Sequence, residues 1–355
     1  MNPSTRFNSV LLVLAAFLPV CANADTYSRV VAFGDSLTDT GNKFVITGLS
    51  NTPPYDLLDA FRVPDGPYAT GGLHYSNNAI WLEDFARPLG LGGTVRPALR
   101  KPGKASNYAY GGARARAGSP EPDLVQQGCL SANNNLHFPQ QVTAFLGDTN
   151  YSAPEDALYA LFIGGNDVTD AVRVLQCDPT GLTSVQVIVG GALTSVGNHM
   201  VALYQAGARK FLVLNSPDIG LIPSFNPPLN TIPGAAQAAT CFSLLYNFGT
   251  LAGSPVPPEC GFPPGIPGLG DALNNVAALY PDIEIVTVDI YSEFVQLVTA
   301  PLETEPQNGT DTCIMPDVPP YKCKDPDNYV FWDGVHPTKR THELISDLVS
   351  MTLGN

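Results

Sequence analysis

Basic residues are scarce in this chain. Eighteen Lys and Arg stand against 32 Asp and Glu over 355 residues, a formal charge of −14. A phosphate-binding face needs clustered cations, and none are clustered here, which argues against nucleic acid or an anionic membrane surface as a partner. Histidine is as sparse. His74, His137, His199, His336 and His342 form no H-x-x-x-H or H-E-x-x-H pair, so no metal site is expected and no cofactor is implied. The cysteines form no C-x-x-C metal or redox pattern. There is no internal repeat, and the N-terminal run apart, no long charge-free apolar stretch stands out, so stable insertion into a bilayer is not expected.

The N-terminus reads as an export leader. Arg6 supplies the positive region, Val10 to Val20 (VLLVLAAFLPV) the apolar one, and Ala22-Asn23-Ala24 an A-x-A cleavage site before Asp25. A lipid anchor on Cys21 competes, but valine directly before that cysteine makes a poor lipobox. Cleavage after Ala24 gives residues 25–355, about 331 in all, with a charge of −15 once Arg6 is gone. With 44% hydrophobic and 14% charged residues the mature chain is globular in composition, and one domain with a substantial core is expected. Of seven cysteines, Cys21 leaves with the leader, and an even set remains: Cys129, Cys177, Cys241, Cys260, Cys313 and Cys323. In an exported chain, extracellular or periplasmic, these read as three disulfides. Sequential pairing is expected, because each pair closes a local excursion rich in Pro, Gly or Asn.

Along the chain, continuous apolar runs alternate with helical patterns. Val30–Phe33, Leu158–Ile163, Phe211–Asn215 and residues 283–288 read as buried strands; Ser76–Gly90, Ser184–Gln205, 271–280 and 339–352 read as helices, the first capped by Ser76 or Asn77. A short strand is expected at Asn107–Gly112. Residues 43–73 and 113–135 are irregular. This alternation predicts an α/β fold with a mainly parallel sheet covered on both faces. The Pro- and Gly-rich stretch 216–268 reads as an insertion stapled by Cys241 and Cys260, a lid or surface excursion, and with 43–73 it is expected to wall any pocket.

The chemistry-bearing residues fall after predicted strands. In VVAFGDSLTDTGN, Gly34 permits a sharp turn beyond a rigid strand and delivers Ser36 as a candidate nucleophile, although Gly-Asp-Ser is also ordinary turn chemistry. In FWDGVHPT, Asp333 lies three residues before His336 and can reach its Nδ1, leaving Nε2 to take a proton from a serine. Equally, Asp333 can cap a helix beginning near Pro337. Glycine turns at the ends of Asn107–Gly112 and Leu158–Gly165 offer Gly112 N–H and the Asn166 amide as oxyanion donors beside the N–H of Ser36. The carboxyl edge of an open parallel sheet is where such sites assemble.

GDSLTDTGN, NYAYGGA, IGGND and DGVHPT, in that order, resemble the four blocks of the GDSL (SGNH) hydrolase family, and most closely its secreted esterase and phospholipase/lecithinase/haemolysin-like members. HYSNNAIW is similar to the family's R-[FY]-S-N-G-x-x-W stretch, with His74 and Asn78 in place of Arg and Gly, which leaves the outer pocket open. The G-x-S-x-G elbow of α/β-hydrolases is absent. The resemblance implies a three-layer α/β/α flavodoxin-like domain in which Ser36 is nucleophile, His336 base and Asp333 its orienter. Ser36, Gly112 and Asn166 would be the oxyanion donors, with Gly111 competing for the backbone place. It implies an ester hydrolase needing no cofactor and acting on a small-molecule or lipid acyl ester, with an acyltransferase, a carbohydrate acetylesterase or an inactive binding protein as other uses of the scaffold. Asn150 and Asn308 begin glycosylation sequons, should the host be eukaryotic.

Overall fold

A computed structural model describes residues 27–117, 136–177, 181–299, 306–316 and 318–354. The expected leader, Cys21 and Cys129, with the expected Cys129–Cys177 bridge, lie outside the described residues. The centre is a parallel sheet of β1 (Val30–Gly34), β2 (Leu158–Phe162), β3 (Lys210–Leu214) and β4 (Glu284–Val288), hydrogen-bonded in that order. Register is unbroken: Val30 faces Leu158, which faces Lys210, which faces Glu284. The expected strand at Asn107–Gly112 is an edge stretch on the outside of β1. Ala32 donates to Ser106 O (2.9 Å), Tyr108 to Ala32 O (2.8 Å) and Tyr110 to Gly34 O (3.0 Å), a parallel ladder. Counted as the second strand in sequence, it gives the 2-1-3-4-5 order of flavodoxin-like sheets, whose switch point lies between β1 and β2.

Strand side chains alternate between two apolar layers, as the period of two requires. Val31, Phe33, Tyr159, Leu161, Phe211 and Val213 pack on one face; Val30, Ala32, Leu158, Ala160, Leu212 and Leu214 pack on the other. On the second face lie α2 (Trp81–Ala86) and α9 (Lys339–Leu353). The first face is covered by α3 (Phe138–Asp148), α4 (Gly165–Cys177), α5 (Leu182–Gln205), α6 (Ala235–Phe248) and α7 (Leu269–Leu279). Among the described residues, two short helices, α1 (Asn42–Thr47) and α8 (Ile290–Thr299), a two-stranded ribbon of β5 (Asn308–Thr312) and β6 (Tyr329–Phe331), and five single-turn 3-10 helices complete the fold. The three-layer α/β/α expectation therefore holds.

Three details depart from the sequence reading. The helix expected at Ser76–Gly90 is only Trp81–Ala86, begun at Ile80, and Pro88 bars its continuation. Ser76 and Asn77 do not cap it, because their side chains reach across the molecule: Ser76 Oγ donates to Pro337 O (2.9 Å), and Asn77 Oδ1 accepts from the N–H of Lys339 (2.6 Å), the first residue of α9. Helix α5 is charge-free over Ser184–Gln205 and long and apolar enough to cross a bilayer, against the expectation of no such stretch beyond the N-terminal run. Its Val185, Val189, Ala192, Val196, Met200 and Leu203 are buried in the first core layer. Residues 216–268 are more than a surface excursion. Phe242, Leu245 and Tyr246 of α6 are core residues, and Cys241–Cys260 ties the helix to the Pro-rich return with Cα atoms 5.5 Å apart. Cys313–Cys323 forms as well, beside the ribbon.

Candidate active site

Gly34 ends β1 against β2, and the chain turns at once. The Asp35 carbonyl accepts the N–H groups of Thr38 (3.1 Å) and Asp39 (3.0 Å), and its carboxylate that of Leu37 (3.0 Å). The turn holds Ser36 almost fully buried at the carboxyl end of the sheet. Asp39 pins the turn to its neighbours: its carboxylate accepts from Gly41 (2.8 Å), Asn42 (2.6 Å), Lys43 (3.0 Å) and Gly111 (2.9 Å). Asn42 then clamps the edge stretch, donating to Asn107 O and Ala109 O (both 2.8 Å). The block DTGN thus serves as a bracket that fixes the glycine turn relative to Ser36.

His336 arrives from the far end of the chain. Its Nε2 lies 2.9 Å from Ser36 Oγ, across a separation of 300 residues. Nδ1 lies 2.8 Å from Asp333 Oδ2. Asp333 is fully buried; Oδ1 accepts the backbone N–H of Val335 (2.8 Å) and of His336 (2.7 Å), while Oδ2 accepts the Tyr68 hydroxyl (2.7 Å). The competing reading, Asp333 as a helix cap, fails: α9 is capped by Thr338, whose hydroxyl accepts from Thr341 N. The Tyr75 ring leans on the imidazole with centroids 4.9 Å apart and fixes its plane.

Opposite His336 the oxyanion candidates converge. Asn166, in the first turn of α4, donates from Nδ2 to Ala113 O (2.8 Å), and the same nitrogen is 3.4 Å from Asp35 Oδ2. Its amide is held between the glycine turn and the Ser36 turn. The N–H of Gly111 donates to Asp39, and Gly112, the other backbone candidate, has φ +79°. Gly164, which starts the Asn166 turn at φ +124°, has no room for a Cβ against the Tyr246 ring. An ion network ties the two donor segments together. Arg114 pairs with Asp170 through Nε and Nη2, Arg116 reaches Asp167 (2.8 Å) and Asp170 (2.6 Å), and Asp167 accepts the Ala115 N–H (2.7 Å). All four side chains are largely or wholly buried, where breaking a pair is far costlier than at a surface.

Burial pushes the Asp35 carboxyl from 3.8 up to about 7, against the opposing pull of its Leu37 hydrogen bond and of His336. Below 3.8 both folded and unfolded chains hold this proton. Between there and about 7 the unfolded chain releases it while the folded one keeps it, so this group's contribution to stability falls as pH rises through that window. Relative to Asp35→Asn, the wild type should lose stability from about pH 4 to about pH 7; denaturant midpoints at a series of pH values check this. Tyr68→Phe removes one donor from a buried carboxylate and should lower stability by about 1–3 kcal/mol, read from the same midpoints.

A cavity of about 440 Å³ opens on Ser36, Gly112, Asn166 and His336. Residues 43–73 and 216–268 wall it as expected, through Phe61, Val63, Ile222 and Phe225 among others, but Arg114, Asp170 and Arg173 join them. His74 and Asn78 do not line it: His74 is spent on Asn78 O (3.1 Å) and Glu83 (3.3 Å) at the foot of α2. Among the described residues no cluster of three or more His, Cys, Asp and Glu is placed to hold a metal. Sequence reading missed Tyr68, Tyr75 and the Arg114–Asp170 pair, and it treated Asp39 as part of a motif without a task.

The model of the GDSL-like lipase/acylhydrolase family matches residues 30–349. The chain belongs to this family of ester hydrolases. A GDSL esterase/lipase of Arabidopsis thaliana is 26% identical over 358 residues, covering 96% of this chain and 93% of its own length. A second from the same plant is 25% identical over 361 residues, covering 97% and 96%. Lipase 1 of Photorhabdus luminescens is 27% identical over 211 residues, 59% of this chain and 25% of that one. An extracellular lipase from Streptomyces rimosus aligns in structure over 91% of this chain and 99% of that chain, at 12% identity and a TM-score of 0.36.

Proposed function

We propose that the chain is an exported serine ester hydrolase that works through an acyl-enzyme on Ser36. The observation that carries this is the continuous relay Ser36 Oγ–His336 Nε2–Asp333, with contacts of 2.9 and 2.8 Å, in a member of a lipase/acylhydrolase family. Ser36 Oγ attacks the ester carbonyl as its proton passes to His336 Nε2. Asp333 holds Nδ1 protonated and offsets the charge of the imidazolium. Negative charge gathers on the former carbonyl oxygen, where the N–H groups of Ser36 and Gly112 and the Asn166 amide face it; loss of one such donor typically costs about 10² to 10³ in rate. The imidazolium then gives its proton to the leaving alcohol. Water, deprotonated by the same nitrogen, attacks the acyl-enzyme, the acid departs, and Ser36 regains its proton.

The leader at 1–24 and the two bridges support export, since disulfides persist in oxidising compartments. Acid-quenched turnover of p-nitrophenyl acetate tests the reading. It should leave an acetyl group on the tryptic peptide that carries Ser36, and acetate release with no covalent adduct on that peptide would refute the acyl-enzyme.

A further inference from the structure

Two cavities meet at Ser36, and they differ in kind. The larger, about 440 Å³, is lined by His336, Gly112 and a near-balanced set of charges: Lys43, Asp59, Asp65, Arg114, Asp170 and Arg173. The smaller, about 60 Å³, also reaches Ser36 and Asn166; Leu37, Phe162, Ile163, Ile219, Ile222 and Phe294 supply most of its walls, Asp35, Thr169 and Ser216 the polar remainder, and His336 does not line it.

The chemistry assigns a side to each half of the ester. His336 Nε2 must protonate the departing alkoxide, so the alcohol lies in the cavity that His336 lines. The acyl chain points the other way, past Asn166, into the small apolar pocket. That pocket has about one seventh of the larger cavity's volume, which suits an acetyl or propionyl chain better than a long one. A long chain diverted into the larger cavity would strip water from its charged side chains without offering them hydrogen bonds. Hydroxyl groups suit that cavity, because each can donate to a carboxylate and accept from a guanidinium or ammonium at once. The rings of Phe61, Tyr75 and Phe225 add apolar faces between the charges, as the non-polar faces of a sugar ring require.

We propose that the enzyme is selective for short-chain acyl esters of polyhydroxylated alcohols, with the acyl group in the Ile219–Phe294 pocket and the polyol among the charges beside His336. The proposal rests on Ser36 being the nucleophile. Ile219 and Gly165 set the depth of the pocket: a Cβ on Gly165 would stand 3.5 Å from Ile219 Cδ1, in ordinary contact and inside the pocket.

The test is a kcat/KM profile over p-nitrophenyl esters from acetate to palmitate, for the wild type, Ile219→Ala and Gly165→Ala, alongside acetylated monosaccharides. Acetate or propionate should be the best acyl group, with a fall of about tenfold or more by octanoate, since one misplaced methylene costs about 10- to 200-fold. Ile219→Ala should move the optimum to longer chains and Gly165→Ala should favour acetate further. Arg173→Ala should lower the ratio of sugar-acetate to p-nitrophenyl-acetate turnover several-fold. A wild-type optimum at octanoate or beyond, or an unchanged profile in both pocket variants, overturns the acyl assignment. An unchanged ratio in Arg173→Ala overturns the polyol side. Absence of turnover across the whole series, with no fluorophosphonate adduct on Ser36, removes instead the hydrolase reading beneath the proposal.

Discussion

Ser36→Ala lowers kcat for ester hydrolysis by about 10⁵- to 10⁶-fold, the size seen when a triad nucleophile is removed from a serine hydrolase. The deletion is small. Ser36 is almost fully buried in a turn whose backbone is held by Asp35 and Asp39, and its hydroxyl has His336 as its partner, so fold and substrate affinity should change little. What vanishes is the covalent route itself; a residual rate survives because the oxyanion donors still polarise a bound ester for direct attack by water. Steady-state kinetics with melting curves on the same samples check this, and a loss of only tenfold would mean that another group attacks.

Asp333→Asn should cost about 10⁴ in kcat with the fold intact, and the local hydrogen bonds say why. Oδ1 of Asp333 accepts two backbone N–H groups, from Val335 and His336, so an asparagine must place its own oxygen there. Its Nδ2 then takes the Oδ2 position, facing His336 Nδ1 and the Tyr68 hydroxyl. Tyr68 can rotate its proton away and accept. His336 can accept only with Nδ1 bare, which moves its proton to Nε2, the atom that must receive the Ser36 proton. The substitution therefore converts the base into a donor while keeping the size and shape of the side chain. Kinetics of the purified variant, with its denaturant midpoint as control, separate this from unfolding.

How much of this was legible in the sequence follows from where the physics is local. The strands were readable because a parallel sheet buried on both faces leaves continuous apolar runs such as VVAF, LYALF and FLVL, and Ser36 and Asn166 follow the first two of these directly. Asp333 and His336 were readable because a carboxylate three residues before a histidine can close onto it within one turn. Helix α4 was not read, since Asn166-Asp-Val-Thr-Asp-Ala-Val-Arg presents polar residues that turn out to be site and ion-network members, while Val168, Ala171, Val172 and Val174 carry its apolar buried face. Helix α6 was hidden by the Pro- and Gly-rich chain around it. Tyr68 lies in an irregular segment and meets Asp333 across 265 residues; no spacing rule reaches that far. The Gly111 N–H donates to Asp39, a residue whose motif was visible and whose partner was not.

The proposed mechanism makes Ser36 the nucleophile, activated by His336 and Asp333. Its most direct test is treatment of the folded protein with a fluorophosphonate probe, followed by intact mass and peptide mapping. One adduct per chain is expected, on Ser36, lost in Ser36→Ala and strongly slowed in Asp333→Asn. No adduct on the folded wild type, or an adduct undiminished in Ser36→Ala, would contradict it.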